Sequence, residues 1–350
     1  MTAGTESARP NPLMAFARRG RAAVLGDREA GWWTVAAKEL TDHLVSARFT
    51  VLLIILSLVG ATTVYLASDA LTSAAQNVAA NAKDTGTTTI FLALFTVGNG
   101  QVPPFVALIA FLVPLIGVAF GFDAINGERA GGTLSRLLAQ PIYRDDVING
   151  KFVGGLAVIG VTLVAVTAIV AGLGMFRLGI VPDAESVLRL AVWLVIAIIY
   201  VGFWLAFATL CSVAFRRAAT SALAAIGTWI FVALFGVILV TLIAGYLSPL
   251  PSDATGAEQL ANSRSADLIG NVSPAVLFQS ATQVILDPSV RWTGSIDSIS
   301  STQASGAVAA PLSLDQSLLL IWPQVVALIA FTTVSFAAAY ILFMRQEVRA

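Results

Sequence analysis

The chain has 350 residues, of which 57% are hydrophobic and 11% are charged, and its formal net charge is zero. Soluble domains carry about 25% charged residues, so this composition and a mean hydropathy of +0.85 indicate an integral membrane protein. The balanced charge gives no general attraction to nucleic acid, so we expect no nucleic-acid partner. One Cys and one His exclude a disulfide framework and a Cys/His-rich metal site within this chain.

The N-terminal part divides into a tail and a helix. Residues 1–31 are polar and Arg-rich and lack the apolar core of a signal peptide, so we interpret them as a flexible cytoplasmic tail, with a lipid-head-group patch as the alternative. Residues 32–48 have helical periodicity and predict an amphipathic connecting helix on the membrane surface before the first span. A short helix on a soluble face is the alternative. The predicted apolar face contains Trp33, Ala36, Ala37, Leu40 and Leu44.

Apolar runs predict an all-α integral membrane fold with six transmembrane helices in a domain over residues 49–343. The predicted spans are about 49–67, 102–121, 152–175, 188–210, 223–247 and 318–343. A polar loop at 68–101 separates the first two spans, and a large outer loop covers 248–317. Residues 344–350 form a short C-terminal tail. Within the outer loop a short amphipathic helix is predicted, with an apolar face formed by Leu277, Phe278, Ala281, Val284 and Ile285.

The distribution of basic residues predicts the orientation of these spans. If the N-terminus lies inside, 15 of the 20 Lys and Arg residues fall on the inner side. Inner loops of membrane proteins carry such an excess. Both termini are therefore predicted to be cytoplasmic, which agrees with an even number of spans.

Several kinds of chemistry are disfavoured. The predicted spans carry almost no ionisable residues, whereas ion-coupled carriers keep such residues inside the membrane. Gly150-Lys151 resembles the end of a P-loop, but Phe152 follows where Ser or Thr is needed and Asp145 replaces the first Gly. We therefore expect that the chain itself lacks an ATP-binding motif and is not an enzyme. The Gly117-x-x-x-Gly121 pattern is compatible with a helix contact and equally with chance.

The segment between the second and third predicted spans is the densest in charge. Residues Glu128 to Ala139 are predicted to form a short amphipathic helix, ended by Pro141. Its apolar patch suits docking into a groove of another protein, and an ordinary solvated loop helix is the alternative. Either Asp145 or Asp146 is placed to cap the helix that follows. The predicted patch comprises Leu134, Leu137 and Leu138.

The run from Phe122 to Lys151 resembles the first cytoplasmic loop of type-2 ABC exporter permeases, and is most similar to the branch named for multi-copper enzyme maturation. Residues 37–42 and 273–278 are also similar to this family. The long tail, the loop at 68–101 and the low-complexity insert at 293–313 depart from it. The loop residues that carry the resemblance are Phe122, Asp123, Ile125, Gly127, Glu128, Arg129, Gly132, Thr133, Leu134, Leu137, Leu138, Gln140, Pro141, Ile142, Arg144, Val147, Ile148, Gly150 and Lys151.

This resemblance implies a membrane permease subunit of an ABC transporter in a prokaryotic cytoplasmic membrane. Such a subunit forms half of a translocation path together with a second permease copy or a homologous permease, and it exports substrate. A separate ATPase dimer binds ATP and Mg, and this chain binds no cofactor. The alternative is a non-transporting membrane partner of an ABC ATPase, which serves mechanical signalling or remodelling.

The resemblance further implies that the predicted helix is a cytoplasmic coupling helix and that no residue is catalytic. The three leucines would enter a groove of the ATPase. Glu128 and Arg129 would make charged contacts at its rim or fix the loop. Arg144 and Lys151 would hold the loop to the span ends or contact lipid phosphates. The implied coupling residues are Glu128, Arg129, Gly132, Thr133, Leu134, Leu137, Leu138, Pro141, Arg144 and Lys151.

Two further roles follow from the same resemblance. Gly131 and Gly132 would allow a close backbone approach. The hydroxyl of Thr133 would fix the helix.

Overall fold

The computed structural model describes residues 29–69, 71–73, 86–98, 103–134, 142–249, 255–288, 290 and 311–346. All regular secondary structure in those ranges is helical. The helices, numbered in chain order, are α1 (Glu29–Leu44), α2 (Ala47–Leu66), α3 (Gly86–Thr96), α4 (Phe105–Gly121), α5 (Asn126–Ala130), α6 (Arg144–Leu178), α7 (Ala184–Ala214), α8 (Ala218–Leu247), α9 (Gly256–Gly270), α10 (Pro274–Leu286) and α11 (Leu314–Arg345).

Within these described ranges, six helices are long and apolar enough to cross a membrane, as the sequence predicts. They are α2, α4, α6, α7, the first part of α8, and α11. Helix α6 begins at Arg144, eight residues before the predicted third span. Its N-cap is Tyr143, and Asp146 accepts a hydrogen bond from the Tyr143 backbone N–H at 3.4 Å, so Asp146 completes a capping box.

Helix α7 lies at the centre of the fold and packs against α4, α6, α8, α10 and α11. Two glycines of α4 bring its backbone directly onto α7. A Cβ added to Gly117 would lie 2.8 Å from the carbonyl oxygen of Val201, and one added to Gly121 would lie 2.7 Å from the Cβ of Ala208. The Gly117-x-x-x-Gly121 pattern is therefore a helix contact, because only residues without a side chain fit there.

Helix α3 lies in the segment that the sequence analysis treated as a polar loop. Its residues Phe91, Leu92, Leu94 and Phe95 are buried. A Cβ added to Gly174 of α6 would lie 2.6 Å from Leu94, so α3 packs closely on the third span. An apolar run of this length is too short to cross a membrane, and the polar residues around it hid it from the sequence analysis.

The helix predicted within the outer loop is confirmed as α10, and its five predicted apolar residues are buried. It packs on α7 and α11, where the fully buried Arg189 of α7 fastens it. The Arg189 guanidinium donates to the carbonyl oxygen of Ile285 at 3.1 Å and pairs with Glu185 at 2.8 Å. The indole N–H of Trp193 donates to Thr282 at 3.1 Å. Helix α10 is thus a rigid part of the bundle.

The buried face of α1 differs from the predicted one. Val35 and Ala36 are its most buried residues, and Trp33 is 49% exposed. The reason is α6, which presents two glycines to this face. A Cβ added to Gly150 would lie 2.5 Å from Val35, and one added to Gly154 would lie 2.8 Å from Glu39. Helix α1 therefore packs on the N-terminal part of the third span rather than lying free.

The glycine contact between α4 and α7 gives a first prediction. The substitution Gly117→Ala should lower the free energy of unfolding by about 1–3 kcal/mol, because the new methyl group overlaps the backbone of α7. The matched control is Gly172→Ala in α6, where an added Cβ meets no atom within 4 Å and helix propensity improves. Unfolding of both purified variants in mixed micelles measures the difference. Equal stability of the two variants would contradict the inferred contact.

Candidate functional site

In the described residues of the segment between α4 and α6, the helix that the sequence predicts from Glu128 is interrupted, and residues 135–141 lie outside the described part of the chain. The first helical stretch, α5, ends at Ala130, and helical geometry resumes only at Thr133. Gly132 lies between them with φ 67°, in the left-handed region that glycine adopts without strain. A Cβ added to Gly132 meets no atom within 4 Å, so Gly132 is needed for its backbone conformation and not for a close approach.

The apolar patch predicted in this segment is only partly visible. The side chain of Leu134 is buried, with 2% of its surface exposed, so it anchors the segment to the rest of the chain. Leu137, Leu138 and Pro141 lie outside the described residues. The hydroxyl of Thr133 donates to the carbonyl oxygen of Glu128 at 3.1 Å and also to its carboxylate.

Lys151 is the point where this segment meets α1 and α6. Its side chain is only 5% exposed, and its ammonium lies 2.8 Å from Glu39 Oε1 of α1 and 3.2 Å from Glu128 Oε1 of α5. A buried charge is tolerated only when it is paired and hydrogen-bonded. Lys151 therefore holds α1, α5 and α6 together.

A cavity of about 360 Å³ lies beside this ion triad. Its wall includes His43, whose ring packs edge-on against Phe120 with centroids 4.8 Å apart. Burial lowers the pKa of the His43 imidazole below its ordinary value, although the nearby charge of Glu39 opposes this shift. His43 is therefore neutral at pH 7, and its Nε2 atom lies 3.8 Å from Glu39 Oε2.

A second ion pair connects the segment to the first span. Arg48, at the start of α2, places Nη2 2.7 Å from Asp123 Oδ2, just after α4. The same guanidinium lies over the ring of Phe122, 5.2 Å from its centroid. The ends of the first two spans are thereby joined.

Two arginines connect the segment to the end of the last span. Arg144 donates to the carbonyl oxygens of Phe343 at 3.1 Å and of Gln346 at 2.9 Å, at the C-terminal end of α11. Arg129 donates to the side-chain oxygen of Gln346. The amide of Gln346 in turn donates to the carbonyl oxygen of Val213 at 2.8 Å, which reaches the end of α7.

The start of α5 is fixed to α7 through backbone groups. The N–H groups of Ile125 and Asn126 both donate to the hydroxyl of Ser212, at 3.0 and 3.2 Å. Ile125 is fully buried in a small apolar cluster with Phe343 of α11. The described part of the segment is thus fastened to α1, α2, α6, α7 and α11.

Comparison with known proteins identifies this arrangement. A family model described as ABC-2 family transporter protein matches residues 33–348. The chain belongs to the ABC-2 transporter family. It is 30% identical to the probable ABC transporter permease protein NosY of Pseudomonas aeruginosa over 227 residues, which are 62% of this chain and 74% of that protein.

A second relative has the same name and comes from Stutzerimonas stutzeri. It is 33% identical over 156 residues, which are 43% of this chain and 54% of that protein, so the match spans about half of that relative's length. Family membership and the six apolar helices together make this chain an ABC transporter permease and a multi-pass protein of the cell membrane.

The site of this ABC-2 chain includes residues that sequence reasoning did not assign. The sequence patterns assign no role in the site to Glu39, Gln346 or Ser212, although Glu39 lies within the stretch 37–42 that resembles the family. Gln346 bonds to Arg144 across 202 positions of the chain, a distance over which no local pattern operates. The contact of Glu39 could have been anticipated from the sequence. Gly150 and Gly154 lie on either side of Lys151 on α6, and glycines at these positions allow α1 to approach closely.

The ion triad gives a second prediction. The substitution Lys151→Met should lower the free energy of unfolding by about 3 kcal/mol or more, because it leaves two partly buried carboxylates without their shared cation. Lys38→Met is the matched control. Lys38 also approaches Glu39, at 3.7 Å, but its side chain is 57% exposed, so its loss should cost at most about 1 kcal/mol.

Guanidinium unfolding of both variants in the same detergent measures this difference. A loss from Lys151→Met no larger than that from Lys38→Met would contradict the assignment of Lys151 as the central contact. A double-mutant cycle with Glu39→Gln then isolates the coupling between the two residues.

Proposed function

We propose that this permease forms half of the translocation path of an ABC transporter, is driven by a separate ATPase dimer, and exports its substrate. The proposed orientation has both termini and the segment from Gly121 to Lys151 in the cytoplasm, and it is supported by the 15 of 20 basic residues that then fall inside. ATP and Mg are bound by the ATPase. A second permease copy or a homologous permease supplies the other half of the path.

The observation that carries this proposal is the fastening of the cytoplasmic segment to the spans. Lys151 links it to α1 and α6, Arg144 links the N-terminal end of α6 to the end of α11, and Ser212 links it to α7. Packed helices and ion pairs of this kind transmit displacement, because close-packed contacts do not deform continuously. A force applied to the segment therefore moves several spans together.

We assign the docking surface on the permease to the residues that follow Leu134. Leu134 is buried and serves as an anchor, so Leu137 and Leu138 are the residues that enter the ATPase groove. In the helix that the sequence predicts, these two leucines form an apolar pair among charged residues, which fits recognition of a helix by a groove. Both positions lie outside the described residues, and the proposal for them comes from the sequence.

Loss of Glu128 should uncouple the transporter more than it destabilises it. In Glu128→Ala, Lys151 keeps Glu39 at 2.8 Å, but α5 loses its charged link to α6 and the partner of Thr133. We expect substrate-stimulated ATPase activity of the reconstituted pair to fall about tenfold or more, with a loss of stability smaller than that of Lys151→Met because the Glu39 contact remains. Glu258→Ala, an exposed acid of α9, is the control. Wild-type coupling in a folded Glu128→Ala variant would contradict the linkage.

Replacing Leu137 and Leu138 together by Asp should abolish binding of the ATPase, because two buried charges would replace the apolar contact. The permease is expressed with the ATPase encoded beside it and isolated in mild detergent, and the ATPase that co-purifies is quantified. The control replaces Leu268 and Val272 by Asp. These residues are 73% and 67% exposed and lie on or beside α9 in the outer loop.

We expect the control to retain the ATPase and the variant to lose it. Retention by both, with the variant folded, would contradict the docking site and leave family membership unaffected. Failure of the native permease to retain any ATPase would instead contradict the proposed complex.

A further inference from the structure

A groove lies between α2 and α6 near the ends of both helices, on the side of the bundle that carries α10. The two helices touch at Gly60, where an added Cβ would lie 2.6 Å from Val170. Beyond that contact a cavity of about 330 Å³ opens between them, with apolar walls that include Ala61, Val64 and Leu173. In a membrane protein such a groove opens to the acyl chains of the bilayer.

One charged group stands at this groove. The Arg177 guanidinium lies over the ring of Tyr65, with Cζ 5.5 Å from the ring centroid. Arg177 is exposed, and no carboxylate in the described part of the chain forms an ion pair with it. None of the residues that line the groove is acidic. Among the described residues, the groove therefore has a positive charge without a paired carboxylate at one end and an apolar body.

The position of this charge along the helices is that of a lipid headgroup. Arg177 and Tyr65 lie in the last turns of α6 and α2, and α6 ends where Gly179 adopts φ 67°. Tyr65 is 65% exposed and Phe176 is 91% exposed. Aromatic side chains and arginines are concentrated at this depth, where they meet the headgroup layer. A guanidinium matches the geometry of a phosphate with two parallel hydrogen bonds.

We propose that this groove binds an anionic phospholipid, with the phosphate on Arg177 and one acyl chain along the apolar walls. Phosphatidylglycerol fits better than phosphatidylcholine, because the lining supplies no carboxylate for a headgroup cation. The site depends only on the chain being a membrane protein. It does not depend on the proposed coupling to an ATPase, so a result that contradicts one proposal leaves the other unaffected.

The test measures phosphatidylglycerol retained by the full chain. The protein is reconstituted in nanodiscs of phosphatidylcholine containing a minor fraction of phosphatidylglycerol, re-extracted in mild detergent, and the bound lipid is quantified by mass spectrometry. In Arg177→Gln, retention of phosphatidylglycerol should fall about fivefold, the scale of one basic side chain at a membrane surface. The control Arg216→Gln removes an exposed arginine that lies just after α7 and outside the groove, and should leave retention unchanged.

A second variant separates the apolar contact from the charge. Ala61→Phe fills the groove and leaves Arg177 in place, so it should lower retention to a similar extent. Unchanged retention in Arg177→Gln, or equal retention of both lipids by the native chain, would overturn the proposal. Displacement of the lipid by soluble glycerol phosphate at comparable concentration would also overturn it, because the site would then recognise the anion alone.

The alternative occupant of this groove is a second copy of the chain. Thr62 is exposed on the groove, so Thr62→Cys in a Cys211→Ala background reports on it through disulfide formation. Cross-linking of two chains at this position in the membrane would overturn the lipid proposal. Absence of cross-linking, together with lipid loss in Arg177→Gln, would support it.

Discussion

The arrangement at the N-terminal end of the third span depends on burial of the Lys151 ammonium. An ion of this kind loses several kcal/mol of hydration when it is buried, and only close counter-charges offset that loss. Glu39 and Glu128 supply them from two different elements, at 2.8 and 3.2 Å. Any displacement that moves one of these carboxylates away from Lys151 leaves the lost hydration of the ammonium without full compensation. The three elements are therefore constrained to move together.

Glycine contacts extend this constraint from an ion triad to whole helices. Gly150 and Gly154 bring α1 onto α6, and Gly117 and Gly121 bring α4 onto α7. Because backbone atoms meet directly at these points, the pairs cannot slide without losing packing. The bundle thus contains two stiff helix pairs, and the segment between α4 and α6 connects one pair to the other. A force applied to this segment therefore acts on both helix pairs at once.

The parts that sequence reasoning predicted well are those governed by local composition. The six spans follow from runs of about 20 apolar residues, and α10 follows from the spacing of Leu277, Phe278 and Ala281. The buried face of α1 was predicted less well, since it is set by glycines more than 110 positions away. The predicted helix from Glu128 to Ala139 is interrupted because Gly132 takes a left-handed conformation. Helix propensity alone does not show which of the adjacent Gly131 and Gly132 adopts the left-handed conformation.

The contacts that hold the two ends of the bundle differ in their exposure to water. This difference determines which end can move more easily. At the α1 end, ion pairs and arginine contacts to helix carbonyls hold the segment, and under the proposed function an ATPase that contacts its charged residues would act on these same groups. At the α10 end, Arg189 is fully buried and its partners lie within the chain, while Tyr200 stacks on Phe278 with centroids 4.5 Å apart. A force that enters through the segment meets partly exposed polar contacts, such as those of Arg48 and Glu128, that can exchange partners with water, whereas α10 rests on buried packing and on the fully buried Arg189. We therefore expect helix rearrangement to begin at the α1 end, with α10 and α7 moving as one body.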